Sequence, residues 1–282
     1  MLSTLRIKIP SEMASICSNP STDYLNGAQP LKVLQDGPGI NHVSVVKYRG
    51  KTLVQKRANR NTATDKRLAH EYGIRTYIGS ACDDITPPME LYRTVDYTFG
   101  VTKYLGPNQL FDLIENESIS KTLALQIFKQ LVKSVLKLHA AGVAHGDISP
   151  ENIIMVSNNK PMLIDFGLSE KITAAAVPAR GKLAYVDPIA LESGVMTDMT
   201  ASDAWSIGVT FLSMYMRSTP WEVAHTSDER FQYAQQHGLK ALLVSWNITM
   251  PDKFMEVVTG LLSPELKSRM SLVKADQILN SC

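Results

Sequence analysis

The sequence predicts an α+β fold in two lobes, a small strand-rich one followed by a larger helical one. Three observations carry this. Residues 31–105 break into short β-branched and aromatic runs set off by turns. From residue 121 onward, long segments repeat their apolar residues at helical spacing. The character changes after Gly106-Pro107, which places a linker near 103–109 and a cleft between the lobes. The expected division is 1–30 as an N-terminal extension, 31–105 as the N-terminal lobe and 106–282 as the C-terminal lobe.

Residues 1–30 are polar and turn-rich, with Asn19-Pro20 and Asn26-Gly27, and read as an extension that packs on the domain or is loose. VSVVKY (43–48) and KTLVQK (51–56) flank Arg49-Gly50, a hairpin signal. Residues 64–79 read as a helix with Leu68, Tyr72 and Arg75 at helical spacing, and 91–105 as two further strands. Residues 121–142 form a long helix with Leu123, Ile127, Leu131, Val135 and Leu138 on its buried face, ending at Gly142. NIIMV (152–156) and MLIDF (162–166) are short apolar strands, and the chain is mostly helical from about 200.

The 282 residues are 44% hydrophobic and 20% charged, enough for one two-lobed domain or two small ones. A net charge of +2 gives no broad footprint for nucleic acid or a membrane surface, so neither is expected as a partner. The densest basic run, Lys56, Arg57, Arg60, Lys66 and Arg67, reads as a solvated face, with docking of an acidic partner as the alternative. Cys17, Cys82 and Cys282 are odd in number and far apart, which suggests neither a disulfide framework nor a zinc site. A reducing intracellular compartment is expected. The N-terminus lacks the basic-then-apolar order of a signal peptide, and the most apolar run, 205–216, is too short to span a bilayer, so a soluble protein is expected.

Chemistry concentrates in HGDISPENIIM (145–155), where Asp147 and Asn152 lie in a loop after the long helix. Asp165 follows in Ile164-Asp165-Phe166-Gly167. Phosphoryl transfer needs a carboxylate beside the incoming hydroxyl and oxygen ligands for a metal ion that neutralises the phosphates. The two motifs resemble the protein-kinase pattern His-Arg-Asp-x-x-x-x-Asn followed by Asp-Phe-Gly. The resemblance implies a two-lobed protein-kinase fold. It makes Asp147 the base, Asn152 and Asp165 the metal ligands, and ATP with Mg²⁺ (Mn²⁺ as an alternative) the cofactors. Thr52-Leu53-Val54-Gln55-Lys56 resembles the strand bearing the kinase lysine, so Lys56 would contact the α- and β-phosphates, with Glu71 as its partner. Gly37 and Gly39 match two of the three glycines of the phosphate-covering loop, and His42 stands at the third. Lys103-Tyr104-Leu105 resembles the hinge, whose backbone binds the adenine edge, with Thr102 at the back of the pocket. Asp203-Ala204-Trp205-Ser206-Ile207-Gly208-Val209 resembles the helix whose aspartate anchors the catalytic loop, and Arg269 the late buried arginine. The resemblance covers about residues 31–275.

The sequence departs from the family at named points. Gly146 replaces the arginine that pairs with a phosphorylated activation-loop residue, so activity independent of such phosphorylation is expected. Joint substitution of Ser169, Thr173 and Tyr185 would test this. Ser149 stands where serine/threonine kinases carry a lysine that touches the transferred phosphate, and Lys182 where a threonine follows Gly181. Ile189 replaces the glutamate normally paired with Arg269, and Glu192 is the expected substitute. The Asp-Ile-Ser form resembles kinases of large DNA viruses, including herpesviruses, and the His-Gly-Asp start resembles the vaccinia-related kinases. The leading expectation is a serine/threonine protein kinase acting on a protein substrate in cytoplasm or nucleus, the host's if the chain is viral. A pseudokinase acting as a nucleotide-binding or scaffolding module and a small-molecule phosphotransferase are the alternatives; oligomeric state stays open.

Overall fold

In the computed structural model, which describes residue 24 and residues 27–37, 41–156 and 160–281, the chain divides into two units. The first runs to Ser80 and resumes at Pro87–Tyr104; the second holds Ala81–Thr86 and everything from Leu105. Ala81–Thr86 goes with the second unit because Cys82 and Ile85 are buried there. The Leu163 amide donates to the Ile85 carbonyl at 2.7 Å, and Lys137 pairs with Asp84 at 2.5 Å.

The first unit contains β1 (Gln29–Gln35), β2 (His42–Tyr48), β3 (Lys51–Asn59), α1 (Ala63–Ile78), β4 (Met89–Arg93) and β5 (Tyr97–Lys103). The strands form one antiparallel sheet in the order β1-β2-β3-β5-β4. Arg49 (φ 47°) and Gly50 (φ 75°) both take the left-handed conformation that lets a two-residue turn follow the strand twist, which fixes the β2–β3 register. Side chains alternate across the sheet. One face buries Val46, Tyr92, Phe99 and Val101 with Tyr24, whose ring stacks on Tyr92 at 5.0 Å. The other buries Ala58, Leu68, Tyr72 and Met89 under α1. Of the segment read as an extension, 1–30, the described part is Tyr24 and residues 27–30; β1 begins there and runs into the segment read as the N-terminal lobe, and it has no counterpart among the expected strands. All seven of its residues are exposed, so it carries no buried alternation to read.

The second unit contains α2 (Leu110–Glu115), α3 (Lys121–Ala140), β6 (Val143–Ala144), β7 (Ile153–Val156), β8 (Lys160–Leu163), β9 (Glu170–Lys171), β10 (Val177–Pro178), α4 (Pro188–Ser193), β11 (Val195–Met196), α5 (Met199–Met216), α6 (Glu229–His237), α7 (Leu239–Ser245), α8 (Asp252–Leu261) and α9 (Leu272–Asn280). The short strands pair as β6–β9, β7–β8 and β10–β11. Ser120 caps α3 by accepting from the Leu123 amide, and Gly142, at φ 82°, ends it. Ile127, Leu131, Val135 and Leu138 are buried along α3. Phe128 stacks on Phe211 of α5 at 4.2 Å, and both lie near Phe254 of α8. The strand expected over 162–166 ends at Leu163. Beyond it the Ile164 amide bonds the Asn152 carbonyl, and Asp165 turns to φ 61°, outside the strand region. The architecture is α+β, a small β-rich unit followed by a larger helical one. Among the described residues no helix is long and apolar enough to cross a membrane.

Candidate active site

In the first unit the two-residue period of β3 decides where Lys56 points. Gln55 faces the Tyr24 side, where its Oε1 accepts from the Tyr24 hydroxyl at 3.0 Å. Lys56 therefore faces α1, and its ammonium lies 2.8 Å from each carboxylate oxygen of Glu71. Leu68, Tyr72 and Arg75 are buried on the same helix and hold Glu71 at that height. The helix starts at Thr62, whose hydroxyl accepts from the Asp65 amide. Burial of Asp65 opposes ionisation, but hydrogen bonds from Thr98 (2.7 Å) and the Asn61 amide (2.9 Å) outweigh it and hold its carboxyl below the usual range. The basic run is not one face: Lys56 is paired with Glu71, while Arg57 lies over the Tyr97 ring at 5.0 Å.

The expected nucleotide contacts of this unit are unevenly placed. Thr102 is half-buried in β5, between Val54 and Met89. The Tyr104 amide already donates to the Thr52 carbonyl at 3.2 Å, so it is not offered to a base. Leu105 begins the second unit. Gly37 is half-buried just after β1, whereas Gly39 lies outside the described residues. His42, read at the third-glycine position, is the first residue of β2 and pairs with Arg57, so it belongs to the sheet ladder.

In the second unit the loop 145–152 is suspended from α5. Asp203 accepts from the backbone amides of His145 and Gly146, each at 2.8 Å, and contacts His139 Nε2 at 2.8 Å. The His145 ring is wholly buried against Phe166. Its Nδ1 faces the Asp147 amide (3.3 Å), which can only donate, and its Nε2 faces the Ile164 carbonyl (3.1 Å), which can only accept. Those partners select the neutral tautomer with the proton on Nε2. Burial lowers its pKa, against the weaker pull of Asp203 and Asp147. Asn152 Nδ2 donates to both the carbonyl (2.8 Å) and the carboxylate (2.7 Å) of Asp147, which turns its Oδ1 away as the remaining acceptor. Burial raises the Asp147 pKa, and the charge of Lys182 is the largest opposing influence. The Ile164–Asn152 bond joins this loop to Asp165, whose Oδ1 accepts from the Gly167 amide at 3.3 Å.

Among the described residues no cluster of three acidic, histidine or cysteine side chains could hold a metal alone. Asp165 and Asn152 offer one carboxylate and one amide oxygen, ligand types that would suit a magnesium ion.

The segment after Asp165 shows what local patterns did not reveal. The departure at Gly146 is structural: φ is 74°, and a Cβ there would stand 2.6 Å from the Leu168 carbonyl oxygen, so this backbone admits no arginine. Arg180 instead binds Glu170 (2.7 Å) and the Leu168 carbonyl (3.2 Å) from within the segment. The partner of Arg269 is Asp187, not Glu192, which is exposed. Arg269 grips both Asp187 oxygens, donates through Nε to the Ser263 carbonyl at 3.0 Å, and lies over the Trp205 ring at 5.1 Å. Asp187 also caps α4, accepting from the Ile189 amide at 2.9 Å. Of the three hydroxyls named for the substitution test, only Thr173 is exposed. Ser169 is buried and donates to the His145 carbonyl, and Tyr185 is buried against Ser213 with its pKa pushed up to about 12 by burial.

The sequence pattern described as protein kinase domain matches residues 39–281. Relatives include the serine/threonine-protein kinase ppk8 of Schizosaccharomyces pombe, 30% identical over 59% of this chain and 34% of its own. The serine/threonine-protein kinase CHK1 of Saccharomyces cerevisiae is 33% identical over 49% and 28%. The human hormonally up-regulated neu tumor-associated kinase is 28% identical over 66% and 26%. The matched region spans about a third or less of the length of these relatives. With the family pattern covering most of its length, the chain belongs to the protein kinase family.

Proposed function

We propose that this chain is a serine/threonine protein kinase that moves the γ-phosphate of ATP to a protein hydroxyl. The observation that carries the reading is the Asp147 carboxylate, largely buried and held by Asn152 at 2.7 Å, beside a neutral His145 that receives its backbone amide. A carboxylate so placed accepts the hydroxyl proton as the oxygen attacks phosphorus. Magnesium, when bound, neutralises the phosphate oxygens, and Asp165 and Asn152 are the residues that would hold it. In the other unit Lys56, steadied by Glu71, is the cation for the α- and β-phosphates. Adenine recognition falls to the backbone of Lys103 and Leu105, given that the Tyr104 amide is committed. Serine/threonine rather than tyrosine specificity follows the named relatives.

The test incubates purified protein with labelled ATP, Mg²⁺ or Mn²⁺ and a generic protein substrate, beside an Asp147→Asn control. Transfer by the wild type at least about 100-fold above the control is expected. Equal transfer in both would assign it to a contaminant. No transfer, together with nucleotide-dependent thermal stabilisation, would favour a pseudokinase. That second reading has its own support in His42, which sits in the β2 ladder where the phosphate-covering loop needs a glycine.

A further inference from the structure

Ser149 is wholly buried in the catalytic loop, and its hydroxyl accepts a hydrogen bond from Lys182 Nζ at 2.7 Å. The same ammonium lies 3.8 Å from Asp147 Oδ2 and 3.8 Å from Glu151 Oε2, beyond hydrogen-bond reach of either. An ammonium has three protons to donate, and Ser149 takes one. The Lys182 side chain is 38% exposed against 16% for Asp147, so the cation sits on the open side of the carboxylate.

The backbone is built for this placement. Gly181 has φ 112°, and a Cβ there would stand 3.2 Å from Asp147 Oδ1, so a glycine lets the chain run against the carboxylate. The next residue then reaches over it. The Lys182 carbonyl accepts from the amides of Tyr185 (2.8 Å) and Val186 (3.1 Å). Trp221 Nε1 and the Ser206 hydroxyl bind the carbonyls of Ala184 and Tyr185, so the turn is locked to the helical unit.

We propose that Lys182 is a catalytic residue whose ammonium holds the oxygens of the phosphoryl group during transfer. This rests on the phosphotransferase reading above. In the step, the acceptor oxygen forms a bond to the γ-phosphorus. The bond from the γ-phosphorus to the bridging oxygen breaks, its electron pair leaving with ADP, and the hydroxyl proton passes to Asp147. Lys182 forms no covalent bond; it donates hydrogen bonds to the peripheral oxygens and stays protonated. The family pattern has a lysine at position 149 and a threonine at 182; here the cation and the hydroxyl have changed places and are bonded to each other. The arrangement at Ser149 is therefore not a loss of the cation but its delivery from a different segment.

The experiment compares the wild-type chain with Lys182→Met, Lys182→Arg, Lys182→Thr and the exchange Ser149→Lys/Lys182→Thr. Lys182→Met should lower kcat about 100-fold, while calorimetric affinity for a non-hydrolysable ATP analogue changes less than about threefold. Lys182→Arg should keep most of the rate. The exchange should recover at least about tenfold over Lys182→Thr, as restoration of one such contact allows. An unchanged kcat in Lys182→Met, or no rescue by an exchange variant as stable as the wild type, would each overturn the proposal. Failure of the parent reading looks different: the wild type itself transfers no phosphate, and the role of Lys182 falls with it.

Discussion

The catalytic loop hangs on one carboxylate outside it, whereas the segment that follows Asp165 is tied down by charged groups of its own. In the loop, Asp203 takes two backbone amides and contacts a histidine. In the segment, Arg180 binds Glu170, Lys182 binds Ser149, and Asp187 takes the place expected of Glu192 beside Arg269. The physical demand is the same in both: a buried charge or amide needs a partner. Backbone amides occur at every residue, so the anchoring acid keeps its place in the motif. Side-chain partners can come from any residue that reaches, so they migrate.

Arg269 gives the sharpest way to break that comparison and the largest expected loss. Both it and Asp187 are buried, and removing one leaves an uncompensated charge. Arg269→Ala and Asp187→Ala should each cost about 3–5 kcal/mol in urea unfolding. Glu192→Ala should stay within about 0.5 kcal/mol. Asp187→Ala without effect beside a costly Glu192→Ala would restore the glutamate as the partner.

Gly146→Arg comes next. Positive φ costs a side-chain-bearing residue about 1–2 kcal/mol, and the Cβ would press on the Leu168 carbonyl. Overpacking adds about 1–3 kcal/mol. Chemical denaturation should therefore read a loss of about 2–5 kcal/mol, and the variant should not gain dependence on phosphorylation. A stable, phosphorylation-dependent Gly146→Arg would show that the glycine is a replaceable substitution.

These two cases mark how far the sequence could be read. The hairpin around Arg49-Gly50 and helix α3 follow from short-range period, while Lys56, Glu71, Asp147, Asn152 and Asp165 are singled out by resemblance to the kinase motifs, and among them Lys56 meets Glu71 and Asn152 meets Asp147. The strand expected over 162–166 stops at Leu163: Ile164-Asp165-Phe166 has strand composition, but a bond to Asn152 and a left-handed Asp165 end it. The Asp187–Arg269 and Ser149–Lys182 contacts join residues 82 and 33 apart, which no local period encodes. One signal was available for Asp187: an acidic residue directly before Pro188 is a helix-cap pattern, which fixes its carboxylate at the start of α4.

A smaller effect separates the loop from the segment by pH. His145 is neutral in the folded loop with its pKa lowered by burial, while in the unfolded chain it titrates near about 6.5. Below that value the unfolded state binds the extra proton, so stability is full above about pH 6.5 and falls as pH drops toward the folded pKa. The slope from this one group is at most about 1.4 kcal/mol per pH unit. Urea midpoints between pH 7.5 and 5.5 should decline, and His145→Gln should flatten the decline. An equally steep decline in that variant would place the titration elsewhere.

The least effect is expected at Thr173. Of the three hydroxyls first considered, it alone is exposed, so it is the one a second kinase could reach. A phosphate orders such a segment by meeting an arginine. Position 146 offers none, and Arg180 is already held by Glu170 and the Leu168 carbonyl. The segment is thus ordered by charges fixed in the chain, with Arg180 in the place of a phosphate-dependent tie. Thr173→Ala and Thr173→Glu should therefore both transfer phosphate within about twofold of the wild type, as surface substitutions away from a site do. Arg180→Ala should reduce transfer more than either. A tenfold loss in Thr173→Ala, reversed in Thr173→Glu, would mean that the segment waits for a phosphate after all, and that the fixed Arg180–Glu170 pair is not what orders it.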